Sequence, residues 1–188
     1  MSTSFFNTVK GNTVLYLFFL ANSIYLFMVL YTIPQTSAFA NGMSILDLKP
    51  LGYDLNYVNQ LFGQLGDAGR LYYHKTQLAV DFIYPLLFIV CYTALAIYTT
   101  GRLKTPYKLF KWLYWLPLVA GLSDYAENLF IHHMLNTYPK IDPTTVTLSS
   151  IASVIKSSTT TIYFILIITA GIMVIGQKYL WSKKTASV

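Results

Sequence analysis

From Val14 to Ile33 the chain reads VLYLFFLANSIYLFMVLYTI, a run without a charge. As a helix it spans about 30 Å, the thickness of a bilayer's hydrocarbon core. Three more stretches of the 188-residue chain qualify: about 76–99, 112–135 and 150–176. Pro34 follows the first, Gly101-Arg102 the second and Asn136-Thr137-Tyr138-Pro139 the third. In lipid every backbone N–H and C=O must be paired within the structure, which helices achieve. The expected fold is therefore all-α: a polytopic membrane four-helix bundle, one integral membrane domain over 1–188.

Composition supports that class. The chain is 55% hydrophobic and 11% charged, where a soluble domain carries about 25% charged residues. Disorder, a coiled coil and an ordinary water-soluble enzyme are excluded. The single cysteine, Cys91, excludes an intrachain disulfide.

The net charge of +6 follows the spans. Arg102, Lys104, Lys108 and Lys111 lie between the second and third, Lys178, Lys183 and Lys184 after the fourth, and Lys10 before the first. The opposite connections mix Lys49, Arg70, Lys75 and Lys140 with Asp47, Asp54, Asp67 and Asp142. Positive-inside asymmetry puts both termini in the cytoplasm. Aromatic belts agree, with Trp112, Tyr114, Trp115, Tyr179 and Trp181 inside and Tyr31, Tyr72, Tyr73 and Tyr138 outside. A nucleic-acid reader would gather its cations on one water-facing surface, so no nucleic-acid partner is expected. Lys10, the first apolar run and Ala38-Phe39-Ala40 imitate a secretory signal. That run is longer than a usual signal core and is interrupted by Asn22 and Ser23, so a retained helix is expected.

The first outer connection is long. Asp54 can cap a helix over about 55–67 whose Leu55, Val58, Leu61, Phe62 and Leu65 form an apolar stripe. The expectation is an amphipathic helix at the outer interface, a lid over the bundle or a gate over a cavity, with a break at Asp67-Ala68-Gly69-Arg70.

The polar residues inside the spans carry the functional reading. Arg70, His74, Gln77, Asp81 and Pro85 are spaced 4, 3, 4, 4 and fall on one line of a continuous helix. Pro117, Gly121, Asp124 and Asn128 repeat the pattern on the third span, with Glu127 and His132 on its flanks. Lys156, Thr160 and Tyr163 share a face of the fourth. An ionised side chain at the bilayer centre costs about 2.5–3.5 kcal/mol, so Asp81, Asp124, Glu127 and Lys156 facing lipid would forfeit roughly 10 kcal/mol. They are expected to face inward, with Lys156 paired to Glu127 or Asp81.

Three uses are open. The cluster can line a cavity for an apolar, lipid-like molecule, with Asp81 and Glu127 as acid–base groups and Arg70, His74, Gln77, Asp124, Asn128, His132, Lys156 and Tyr163 as binding residues. It can fix helix packing in an accessory subunit, or a homo-oligomer, of a membrane complex. It can serve proton-coupled transport of a small solute. His132-His133 with Glu127 and Asp124 lacks H-E-x-x-H spacing, so no metal is expected. With no Gly-rich phosphate loop, G-x-S-x-G or C-x-x-C motif, no cofactor is expected either.

The runs Leu65-Gly66-Asp67-Ala68-Gly69-Arg70-Leu71-Tyr72 and Asp81-Phe82-Ile83-Tyr84-Pro85-Leu86-Leu87-Phe88, then Leu116-Pro117 and Asp124-x-x-Glu127-Asn128, resemble a widespread group of uncharacterised small bacterial four-helix membrane proteins. That resemblance covers roughly 52–139, implies a bacterial inner membrane and brings no activity. The architecture is similar to the emopamil-binding and sigma-2 receptor family, with Asp81 and Pro85 as the matching pair. Those proteins are sterol isomerases or bind sterol-like amphipathic amines in an acidic cavity within the membrane. Helix one here carries Asn22 in place of a second acid–histidine set, so the resemblance implies an acid-lined cavity rather than isomerase chemistry.

Overall fold

A computed structural model describes the backbone of residues 9–103 and 108–186, and side chains as far as residue 177. Lys104 and the side chains of Lys178, Tyr179, Trp181, Lys183 and Lys184, assigned above to the cytoplasmic face, lie outside the described residues. The described residues are helical, without strands. Four long helices are α1 (Gly11–Phe39), α2 (Leu55–Thr100), α3 (Leu116–Thr137) and α4 (Pro143–Ala186). Short 3-10 turns, Leu46–Leu48 and Lys108–Tyr114, sit in two of the connections.

Among the described residues three helices are long and apolar enough to cross a membrane: Gly11–Phe39, Leu55–Thr100 and Pro143–Gln177. The sequence led us to expect four. α3 falls short because one of its faces is given to Asp124, Glu127 and Asn128 and its far end to His132 and His133. Its opposite face still exposes Val119, Leu122 and Leu129. Large apolar side chains are exposed along the other helices too, with Leu30 at 73% and Ile172 at 66%.

Several boundaries differ from the sequence expectation. Pro34 does not end α1. The helix widens into a π turn over Met28–Thr32 and continues to Phe39. Proline lacks the N–H that the preceding turn needs, and a widened turn absorbs that loss. α2 takes in the amphipathic segment as its first part, joined to the rest through a kink. Asp54 caps it, accepting from Tyr57 N–H at 2.8 Å, and Val58, Leu61, Phe62 and Leu65 are buried as the stripe predicts. The break lies at Gly66 rather than Asp67–Arg70: at φ 59°, ψ −177° only glycine is unstrained. Residues 112–115 belong to the 3-10 turn and its exit rather than to α3. α4 begins seven residues before the expected 150, where the Asp142 carboxylate accepts from Thr145 N–H at 3.0 Å.

α3 packs chiefly on α4, α1 on α2, and α2 on α3, whereas α1 and α4 barely meet. Gly121 sets the α2–α3 approach, because a Cβ there would lie 2.5 Å from Ile89 Cγ1 and 3.1 Å from the Pro85 carbonyl oxygen. Two apolar clusters fill the interior. At the capped end Ile45, Leu46, Val58, Leu61, Phe62, Ile131 and Met134 close under the α2 lid. At the basic end Phe88, Cys91, Tyr92, Leu113, Tyr163 and Ile167 pack together. The polar residues lie between the two.

Candidate functional site

α2 is least regular where it passes these polar residues. A π turn spans Tyr73–Gln77, and the helix opens again at Phe82–Ile83 ahead of Pro85. Proline at 85 cannot donate to the carbonyl of Asp81, and Asn128 Nδ2 donates to that carbonyl instead at 3.2 Å. The π turn of α2 touches the π turn of α1, where the Thr32 hydroxyl hydrogen-bonds the Gln77 side-chain carbonyl.

The ion cluster is bipartite. Lys156 Nζ lies 2.5 Å from Glu127 Oε2 and 3.1 Å from Asp124 Oδ1. The spacing of Asp124 and Glu127, one turn apart on α3, lets a single ammonium from α4 bridge both. Glu127 is fully buried, so the pair is shielded from water and each partner depends on the other. Tyr53, from the first connection, closes this half: its hydroxyl stands 2.6 Å from Ser149 Oγ and 3.5 Å from Glu127 Oε1. Burial, and then the Glu127 carboxylate, raise the Tyr53 phenol above its ordinary value and hold it as a donor.

The second half holds two carboxyls. Asp47, on the Leu46–Leu48 turn, accepts from the Tyr73 hydroxyl and lines the same cavity as Asp81. Among the described residues no cation forms an ion pair with either acid, and Asp47 Oδ1 is buried without a hydrogen-bond partner.

Between the two halves lies a cavity of about 310 Å³. Asp47, Asp81, Asp124 and Lys156 are the charged part of its lining; Tyr25, Met28, Val29, Tyr84 and Phe88 belong to the apolar part. Ser157, Thr160 and Thr161 of α4 face α1 across it. Its exposed lining residues are Tyr25 and Val29 of α1, Leu48 of the first connection and Thr161 of α4, so it is open where these segments come together. Toward the basic end it is closed by Phe88, Tyr92 and Tyr163, and the Tyr163 hydroxyl donates to the Tyr92 carbonyl at 2.7 Å.

The structure thus gathers Asp81, Asp124 and Lys156 at the cavity, with Glu127 behind Lys156, and disperses the other candidates. Arg70 donates to the Phe62 carbonyl at 2.6 Å, pairs with Asp67 and covers the Tyr138 ring. It braces the Gly66 kink instead of reaching the cavity. The single line through Arg70, His74, Gln77 and Asp81 is broken because the π turn inserts a residue and rotates everything before it. His74 meets His132 at a solvent-facing edge, Nε2 to Nδ1 at 2.7 Å. Gln77 and Asn128 brace helices, and Tyr163 is a packing residue below the cavity. Lys156 pairs with Glu127, as one of the two expected partners, and with Asp124 rather than Asp81. Asp47, Tyr53 and Tyr73 were missed. For Asp47 a signal existed: an acid set among Ile45, Leu46 and Leu48.

Among the described residues no group of three or more His, Cys, Asp or Glu could hold a metal ion. Compared with protein-family models, with curated proteins and with solved structures, the chain matches none.

Proposed function

We propose that this is an integral membrane protein of the bacterial inner membrane, with both termini cytoplasmic, that binds or transforms an apolar, lipid-like molecule in the cavity. Lipid accounts for the exposed apolar faces of α1, α2 and α4, and α3 crosses with its polar face turned inward. The observation carrying the reading is the mixed lining of the cavity. Aromatic and aliphatic side chains share it with two carboxyls without a cation, Asp47 and Asp81, beside an ammonium already engaged twice. A ligand with an apolar body and a donor-bearing or cationic head complements such a lining. Asp81 is the residue placed to meet that head. Glu127, through Lys156, sets the charge beside it. The resemblance to the emopamil-binding and sigma-2 family supports the same ligand class.

Mass spectrometry of small molecules co-purifying with wild type and with Asp81→Asn tests the proposal. The variant should keep its thermal transition in detergent and lose the bound species. Equal retention by both proteins would sink the reading.

A second reading is favoured by the Tyr53–Ser149–Glu127–Lys156–Asp124 cluster, whose charges are paired with one another without a ligand. In it the polar residues fix helix register in a subunit of a larger complex. Wild-type protein purifying without any bound molecule, and stable only with a partner, would favour it. Passage of a solute through the bundle is opposed by the aromatic layer of Phe88, Tyr92 and Tyr163.

A further inference from the structure

The connection between α2 and α3 is a separate feature that the cavity does not use. From Lys108 to Tyr114 it is a 3-10 helix, a form with three residues per turn in which residues i and i+3 eclipse. Such a segment is a three-edged prism. One edge, Phe110 and Leu113, is buried in the basic-end core. The second, Lys108 and Lys111, is exposed. The third, Leu109 and Trp112, runs on to Trp115, exposed at 58%, 62% and 60%. Arg102 is exposed in the same connection, and residues 101–115 include no acid. A cationic edge beside an aromatic edge, on an element anchored by the third, matches a leaflet surface: indole rings at the headgroup level, ammonium groups on phosphates. An acidic protein partner would use the lysines but gives no reason for the row of leucine and tryptophans beside them.

We infer that Lys108–Trp115 is a binding surface for the phosphodiester headgroups of anionic phospholipids. Arg102 adds to its charge. The role is independent of any ligand in the cavity, since no residue of the prism lines it.

The test uses full-length protein carrying Trp181→Phe, which leaves Trp112 and Trp115 as the fluorophores. It is reconstituted in phosphatidylcholine vesicles doped with brominated phosphatidylglycerol or with brominated phosphatidylcholine. Quenching titrations should show preference for the anionic lipid. Lys108→Gln and Lys111→Gln should each lower that preference about fivefold, as expected for a basic residue near the surface. Lys75→Gln with Lys140→Gln, two exposed lysines at the opposite end, should leave it unchanged. Equal quenching by the two lipids would overturn the inference. So would a preference that survives loss of both prism lysines, or one that the Lys75 and Lys140 changes lower equally.

Discussion

The capped and basic ends of the bundle are built on different principles. At the basic end α2 is a regular helix over Tyr84–Thr100, and rings and aliphatic side chains fill the space, with Tyr92 and Phe164 at 5.3 Å and 74° or steeper crossings between Tyr163 and its neighbours Tyr92 and Phe164. Toward the capped end both α1 and α2 depart from α geometry within a few turns of each other, and four acids and a lysine occupy the interior. Regular helices suffice where dispersion and shape hold the structure. Where α2 carries polar side chains into the interior its backbone bends: its π turn and the opening before Pro85 accompany Gln77 and Asp81, and Asn128 of α3 takes up the carbonyl that Pro85 leaves without a donor. Asp124, Glu127 and Lys156 need no such bend, since they project from the regular helices α3 and α4.

The sharpest way to break that contrast is Lys156→Met. It strands Asp124 and Glu127 without a cation and should cost about 3–5 kcal/mol, read as a drop in the detergent unfolding transition. Adding Glu127→Gln should recover part of the loss. A silent Lys156→Met would mean that the acids are not jointly dependent on it. Next in size is Gly66→Ala, which forces a residue with Cβ into a glycine-only conformation at a cost of about 1–3 kcal/mol. The loss should appear as faster hydrogen exchange in Leu55–Leu65, with the basic end unaffected.

How much of this could be read from the sequence divides along the same line. The apolar runs, the Asp54 cap and the Val58–Leu61–Phe62–Leu65 stripe obey simple periodicity, and the structure keeps them. Asp124, Glu127 and Lys156 were also legible, since a charge inside an apolar run must seek a partner. The polar line through Arg70 and His74 failed because it assumed a constant 100° per residue, which a π turn violates without leaving a mark in composition. Asp47 and Tyr53 reach the site from a connection, where no period exists to read, and only tertiary docking brings them in.

Two smaller effects sharpen the comparison. Tyr163→Phe removes the donor to the Tyr92 carbonyl in the aromatic layer and should cost about 1 kcal/mol, with binding at the cavity unchanged. A loss of binding equal to that of Asp81→Asn would show that the two ends are not separable. Asp142, outside the spans, gives the smallest effect. The backbone N–H of Thr145 holds its carboxyl below the usual carboxylate range, as do other donors of the first turn. A depressed folded-state value stabilises above the unfolded value, about 3.9, and that contribution fades as pH falls below it. The first turn of α4 should therefore fray in acid, with faster amide exchange at Thr144–Val146, and Asp142→Asn should flatten that response.

The opening at α1, α4 and the first connection has one more consequence. If the bundle sits in a bilayer, a molecule dissolved among acyl chains reaches the carboxyls by lateral diffusion, without first entering water. Occupancy would then follow the mole fraction of that molecule in the lipid rather than its aqueous concentration. Adding empty vesicles or micelles at a fixed total amount should strip it from the protein.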